Sequence, residues 1–258
     1  MKFKSQFYPL FLGSLSLSAA LLLWIIVNQM AGPRFLPNPL KVFEEIVRLF
    51  KTPLSGRTLI EHVIFSLRRV MAAYGLAIVT GLPLGLMMGW NATCRKIVMP
   101  IFEIFRPIPP IAWIPIAILW LGVAEGSKIY ICYVGAFIIL VLNSFTGTRY
   151  VDPLLIQAAK VFGASKKRLF LAVAVPAALP SIFAGLQNGM SMAWMCVLAA
   201  ELVGGREGVG FIIIQGMNLD RPEMILAGMV VIGVLGTVLA AFLRLLEKLI
   251  CPWRRQLV

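Results

Sequence analysis

The sequence predicts an all-α integral membrane protein with six transmembrane helices. Apolar residues occupy 60% of the 258 positions and charged residues only 14%, which lies outside the range of soluble domains. Six stretches without charge reach or approach the ~20 apolar residues that a helix needs to cross the bilayer, whereas barrel strands would alternate. These stretches cover residues 5–33, 70–94, 107–124, 129–148, 169–200 and 224–243.

The first stretch is predicted to be a retained helix, because its apolar run is too long for a secretory signal peptide. Residues 39–51 then show amphipathic spacing. They predict a helix that lies along the outer membrane interface or, as an alternative, packs on the domain. A further helix is expected to begin near Thr58 and to run into the second span.

The net charge of +13 is explained by membrane topology, and no nucleic-acid partner is expected. With the N-terminus inside, more than half of the 24 basic residues, Arg106 among them, fall in cytoplasmic segments. Both termini are therefore expected in the cytoplasm. Arg68 and Arg69 are assigned to the long outer loop before the second span.

Neither a catalytic site nor a metal site is expected. The cysteines at positions 94, 132, 196 and 251 lack the paired spacing of a zinc or dithiol site, and the lone His62 is more often structural than catalytic. An enzyme would need converging nucleophiles, acids or metal ligands. The sequence also has no Gly-x-x-x-x-Gly-Lys-Ser/Thr loop, so no cofactor is expected in this chain.

Two spans carry small residues at every fourth position. This spacing places them on one helix face and lets another helix backbone approach closely. Both faces are therefore predicted to be packing interfaces. The stripes are Ala73, Ala77, Gly81, Gly85 and Gly89 in the second span, and Ser181, Gly185, Gly189 and Ala193 in the fifth.

The opposite side of the fifth span carries Gln187, Ser191, Trp194 and Glu201 at helical spacing. These residues either line a solute pathway or form a hydrogen-bonded seam between helices. Glu201 is a functional candidate as an intramembrane carboxylate, or it caps the turn that follows. Residues 202–216 are rich in glycine and fit a re-entrant outer loop buried in protein.

The third span opens with prolines at positions 107, 109 and 110, directly after Arg106. Prolines at this spacing cannot lie in a continuous helix, so backbone carbonyls are freed that must face protein or a water-filled cavity. Arg106 is accordingly a candidate pathway residue. The alternative is that Arg106 marks the cytoplasmic boundary and the prolines begin the helix.

A capped helix is predicted between the fourth and fifth spans. Asp152 suits the N-cap, Pro153 the first helical position, and Gly163 a left-handed residue after the helix. Ser165 is expected to cap a second helix that begins with Lys166. A short rigid helix of this kind can dock on a partner and receive force from it.

This segment resembles the signature of inner-membrane permease subunits of binding-protein-dependent ABC importers. That family carries Glu-Ala-Ala, three residues, Gly, nine residues and then aliphatic-x-aliphatic-Pro. Here the motif is Gln157-Ala158-Ala159, Gly163 and residues 173–176, with Gln157 in place of the usual Glu. Residues 106–115, 117–122 and 176–182 resemble the nitrate, taurine and alkanesulfonate branch.

The resemblance implies a type I ABC importer permease fold in the inner (plasma) membrane, surrounded by lipid. It implies a homodimer, two cytoplasmic ATPase subunits that bind ATP and Mg, and a periplasmic or extracellular solute-binding protein. Residues 1–61 would form an N-terminal helix and outer loop, and residues 62–258 the transport domain. The competing hypothesis is an ion-coupled secondary transporter. The residues implied in ATPase coupling are Gln157, Ala158, Ala159, Phe162, Gly163 and Lys166.

Overall fold

The computed structural model of the protein describes residues 2–32 and 35–252, and within this part the regular elements are helices. A π-helical turn spans Leu169–Ala174, and a 3-10 turn spans Pro110–Trp113. The α-helices are α1 (Lys2–Ala31), α2 (Pro39–Lys51), α3 (Leu59–Trp90), α4 (Ala92–Phe105), α5 (Ile114–Leu121), α6 (Glu125–Arg149), α7 (Pro153–Val161), α8 (Lys166–Arg168), α9 (Val175–Gly204), α10 (Val209–Asn218) and α11 (Pro222–Ile250).

Five segments of the described chain are long and apolar enough to cross a membrane: α1, α3, α6, α8 with α9, and α11. A sixth crossing arises if α4 and residues 110–121 form one span, which bends by 84°. The prediction of six spans is confirmed in this form. The prolines of the third span produce the bend, because they cannot continue the α4 helix.

The helix α6 lies between α3 and α9, and both predicted small-residue stripes pack against it. A Cβ atom added to Gly89 would lie 2.7 Å from Cβ of Thr148, and one added to Gly185 would lie 2.6 Å from Cβ of Asn143. Larger side chains would therefore push the helices apart. The predicted packing faces are confirmed as contacts within one chain.

The helix α3 begins where the sequence predicts. The Thr58 backbone N–H donates to the Glu61 carboxylate at 2.6 Å, and this capping box sets the first helical residue at Leu59. The assignment of Arg68 and Arg69 to the outer loop is wrong, because both lie inside α3. The prediction assumed that a charged residue ends the span. Arg69 is, however, only 1% exposed, and carboxylates neutralise its charge.

The segment after the fifth span is more regular than predicted. The helix α9 continues to Gly204, and residues 209–218 form α10, so the predicted loop over 202–216 is mostly helical. Side chains of α3 and α9 accept hydrogen bonds from the first N–H groups of α10, which allows a helix to begin among glycines. The predicted burial is confirmed, since Val209 and Ile212 are fully enclosed.

The amphipathic helix α2 packs on the domain through Val42 and Leu49, which join a cluster with residues of α10 and α11. Its other side leaves Leu40 and Phe43 exposed. The alternative in which α2 packs on the domain is therefore confirmed. A position along the outer membrane interface stays a prediction.

Candidate functional site

The helix α7 is capped at its N-terminus as the sequence predicts. Asp152 Oδ1 accepts a hydrogen bond from the Leu154 backbone N–H at 2.8 Å, and Pro153 is the first helical residue. The cap satisfies one of the otherwise unpaired donors at the helix start. The start of α7 is therefore fixed by its local sequence.

The C-terminus of α7 is closed by a Schellman motif. The Gly163 N–H donates to the Lys160 carbonyl at 2.9 Å, and the Ala164 N–H donates to the Ala159 carbonyl at 3.1 Å. Gly163 has φ +75°, a left-handed conformation that side chains disfavour. The predicted helix end is confirmed, with Phe162 directly after the last helical residue, Val161.

Within the described chain, none of the nine residues of α7 is buried. Gln157 and Ala158 face solvent, and Ala159 is half-buried. The Phe162 ring is 90% exposed. A rigid helix with an exposed aromatic ring beside it is a surface suited to docking.

The helix α7 is joined to the long helix α9 through a short, folded connection. Lys166 is exposed at the start of α8, and Ser165 Oγ accepts from the Arg168 N–H at 3.4 Å. The π-helical turn packs against α7 and buries Leu169 and Ala174. The π-helical turn therefore contacts both α7 and α9.

The predicted pathway residues of α9 lie together on the side that faces α11. Gln187 Nε2 donates to Glu247 Oε2 at 2.7 Å, and Trp194 Nε1 donates to the Ile232 carbonyl at 3.2 Å. Ser191 is exposed and lines a cavity of ≈ 190 Å³ with Trp194. The structure therefore brings Gln187, Ser191 and Trp194 together, and it also gives each of them a partner within the chain.

Glu201 lies apart from these residues, in a buried cluster. It is 0% exposed, and its carboxylate accepts from Arg69 Nη1 at 2.6 Å, Ser66 Oγ at 2.8 Å and the Gly210 N–H at 2.9 Å. This geometry corresponds to the capping alternative. A charge-paired carboxylate with this many donors stabilises the start of α10.

Sequence reasoning did not identify Arg69, the centre of this cluster. Its Nε and Nη2 atoms donate to the two oxygens of Glu125 at 2.6 Å each. Ser66 and Arg69 are three residues apart on one face of an apolar helix, and Glu201 needs a partner inside the membrane. From that spacing the ion pair of Arg69 with Glu201 could have been predicted. His62 also belongs to the cluster, since its Nδ1 accepts from the Gly208 N–H at 3.1 Å.

Arg106 lies at the bend of the third span. A Cβ atom on Gly135 would be 3.6 Å from Cγ of Pro110, and Gly135 is about 15 Å from the start of α6 at 1.5 Å per residue. Since α6 has 25 residues, the bend lies beside the middle of that helix. Arg106 directly follows α4, which ends at Phe105. The alternative in which the third span is a broken helix is confirmed, because α4 precedes Arg106 and a bend of 84° follows it.

Comparison with known proteins gives the family of this chain. Residues 81–256 match the family described as binding-protein-dependent transport system inner membrane component. The chain belongs to this family of permeases. The resemblance noted from the Gln157 motif is thereby confirmed. Membership of this family argues against the competing hypothesis of an ion-coupled secondary transporter.

Named relatives align with the permease over most of its length. The taurine transport system permease protein TauC of Escherichia coli is 34% identical, over 92% of this chain and 88% of TauC. The nitrate import permease protein NrtB of Synechocystis sp. is 31% identical, over 93% of this chain and 88% of NrtB.

A solved structure supports the fold. The MetNI methionine ABC transporter, in an inward-facing form, contains a chain that matches 74% of this permease with a TM-score of 0.66 at 21% identity. The match covers 95% of that chain. The permease therefore has the type I importer fold. Its family and its apolar helices make it a multi-pass inner membrane protein.

Proposed function

We propose that this permease imports a small anionic solute, such as taurine, an alkanesulfonate or nitrate, and that α7 couples import to ATP hydrolysis in a separate subunit. The observation that carries the proposal is α7 itself, which has caps at both ends and no buried residue in the described chain. Its exposed surface needs a partner. The relatives that carry taurine and nitrate in their names support the solute class.

The residues of α7 have separate roles in this coupling. Phe162 is the apolar anchor that enters a cleft of the ATPase. Ala158 and Ala159 allow close approach, Gln157 supplies a polar contact without charge, and Gly163 directs the chain back toward α9. Lys166, at the start of α8, keeps this end of the protein cytoplasmic.

Two cytoplasmic ATPase subunits hold ATP and Mg, one on each copy of a permease homodimer. A solute-binding protein delivers the solute from the outside. This chain performs no ATP chemistry of its own, and both of its termini are cytoplasmic. The binding protein meets the end of the permease formed by α10 and the start of α3, because this end lies opposite α7.

The solute path is lined by residues near the middle of the spans. Gln187, Ser191 and Trp194 contribute the α9 side, and Arg106 contributes a cation at the bend. Glu201 was also predicted for the path. Its enclosure by Arg69 and Ser66 favours a different role, which is to hold α10 at the outer end.

The transport domain comprises residues 62–258, and residues 1–61 add a helix and an outer loop. The exposed side chains along α1 support this division, since none of its apolar window is buried within the chain. Such a helix is surrounded by lipid or by a second copy.

Uptake into proteoliposomes tests the proposed function. The permease is reconstituted with its ATPase and binding protein, and labelled taurine, butanesulfonate and nitrate are offered outside with ATP inside. We expect uptake of at least one anion that requires ATP and both partners. Uptake of the anion that persists without the ATPase, or dependence on an ion gradient, would contradict the proposal.

A further inference from the structure

A cavity of ≈ 310 Å³ lies at the bend of the third span, between α3, α4 and α6. Half of its lining residues are aromatic, and some of their rings pack on each other. The Phe105 and Trp113 ring centroids are 5.9 Å apart, and those of Tyr133 and Phe137 are 5.3 Å apart. The aromatic lining residues are Phe102, Phe105, Trp113, Tyr130, Tyr133 and Phe137.

The cavity also contains a cation. Arg106 lines it, beside the middle of α6, and its guanidinium meets the carboxylate of Glu103 at 3.4 Å. Both side chains are nearly half-exposed, so this ion pair is weak. A charge at this depth must face water, a partner or a solute, since exposure to hydrocarbon is costly. A guanidinium has five N–H donors, and one carboxylate contact leaves most of its capacity for an anion.

A second donor in the cavity wall is unsatisfied. The Trp113 indole Nε1 is buried and has no hydrogen-bond partner among the described residues. A buried donor without a partner is unusual and calls for an acceptor. The cavity therefore offers the Arg106 guanidinium to acidic oxygen atoms, and the Trp113 N–H can join it only after a movement of the indole, because that nitrogen is enclosed in this structure.

We propose that this cavity binds an organic anion with an apolar body, an alkyl- or arylsulfonate or the matching carboxylate, on its way through the permease. Arg106 and Trp113 bind the acid group, and the rings cover the apolar body. Nitrate has no apolar body to pack against the rings, and most of its oxygen atoms would have no hydrogen-bond donor in the cavity. The inference rests on the proposed function and narrows its solute class.

Photolabelling tests the site in the assembled transporter. The complex of permease and ATPase in nanodiscs is irradiated with para-azidobenzenesulfonate, and the labelled peptides are identified by mass spectrometry. We expect labelling on the segments that line the cavity, in α4 and α6. Butanesulfonate should compete with the label at concentrations at least tenfold below those at which nitrate competes.

Matched variants identify the groups that bind. Arg106→Gln and Trp113→Phe should each reduce labelling of the cavity at least fivefold, while Arg95→Gln, in the preceding helix α4, should leave labelling unchanged. Equal labelling in wild type and Arg106→Gln, labelling outside the cavity, or equal competition by nitrate would overturn the proposal. So would an anionic phospholipid that co-purifies with wild type and blocks the label.

Failure of this proposal can be told apart from failure of the proposed function. ATPase co-purification and ATP-dependent uptake are measured on the same preparations. If uptake of nitrate persists in Arg106→Gln at the wild-type rate, the permease is an importer and the cavity is not its solute site. If labelling maps to the cavity but uptake does not require ATP, the importer function is wrong and the anion site stands.

Discussion

Truncation of Phe162 tests the docking role of α7 directly. The ring is 90% exposed in the free chain, so nearly all of its surface is available for burial in a partner. Complete burial of a phenylalanine side chain stabilises a complex by roughly 1.5–3 kcal/mol, and interface anchors often cost about 2 kcal/mol or more on truncation. Phe162→Ala should therefore weaken ATPase binding by about 2 kcal/mol per site, or roughly thirtyfold in Kd.

The assay is a titration of purified ATPase against the permease held in nanodiscs. Phe35→Ala provides a matched control, because Phe35 is 76% exposed and lies between α1 and α2, at the other end of the molecule. The control should bind the ATPase as wild type does. If Phe162→Ala and Phe35→Ala give the same Kd, α7 does not dock through its aromatic anchor and the reasoning fails.

Two further predictions concern stability and one concerns transport. Gly85→Leu, on the α3 stripe that faces α6, should lower the thermal unfolding temperature in detergent, whereas Gly75→Leu, with open space around it, should not; equal temperatures would refute the packing role. Arg69→Met should destabilise the protein by about 3–5 kcal/mol, because it leaves the Glu201 carboxylate buried without its cation. The double variant with Glu201→Leu should recover part of this loss of stability. A double variant that is less stable than Arg69→Met would contradict the argument. Trp194→Ala should alter the uptake rate at normal expression, and an unchanged rate and solute preference would assign that face to packing.

The helix ends are features of the fold that the local sequence determines. The Asp152 and Gly163 caps and the Thr58 start of α3 were predicted at the correct residues, because a cap depends on side chains and backbone within about five positions. The small-residue stripes were predicted for the same reason. Spacing of four along a helix determines which residues share a face, whatever the helix packs against.

The spacing of residues along one helix does not tell which other helix packs against a given face. The contact of Gly85 and Gly185 with opposite sides of α6 depends on the order in which the spans assemble. The same holds for Trp194, whose indole N–H reaches α11 in the structure. A face predicted to meet solute therefore also carries contacts between helices.

By itself, the sequence determined the membrane class, the number of spans, the capped helix α7 and the family. Only the tertiary structure decided that Arg69 lies inside α3 and pairs with Glu201, that residues 209–218 are helical, and that Arg106 lies beside the middle of α6. The physical reason is the range of the interactions. Caps and apolar runs act between neighbours in the chain, whereas an ion pair across 132 positions or a cavity formed by three helices exists only when the spans are packed.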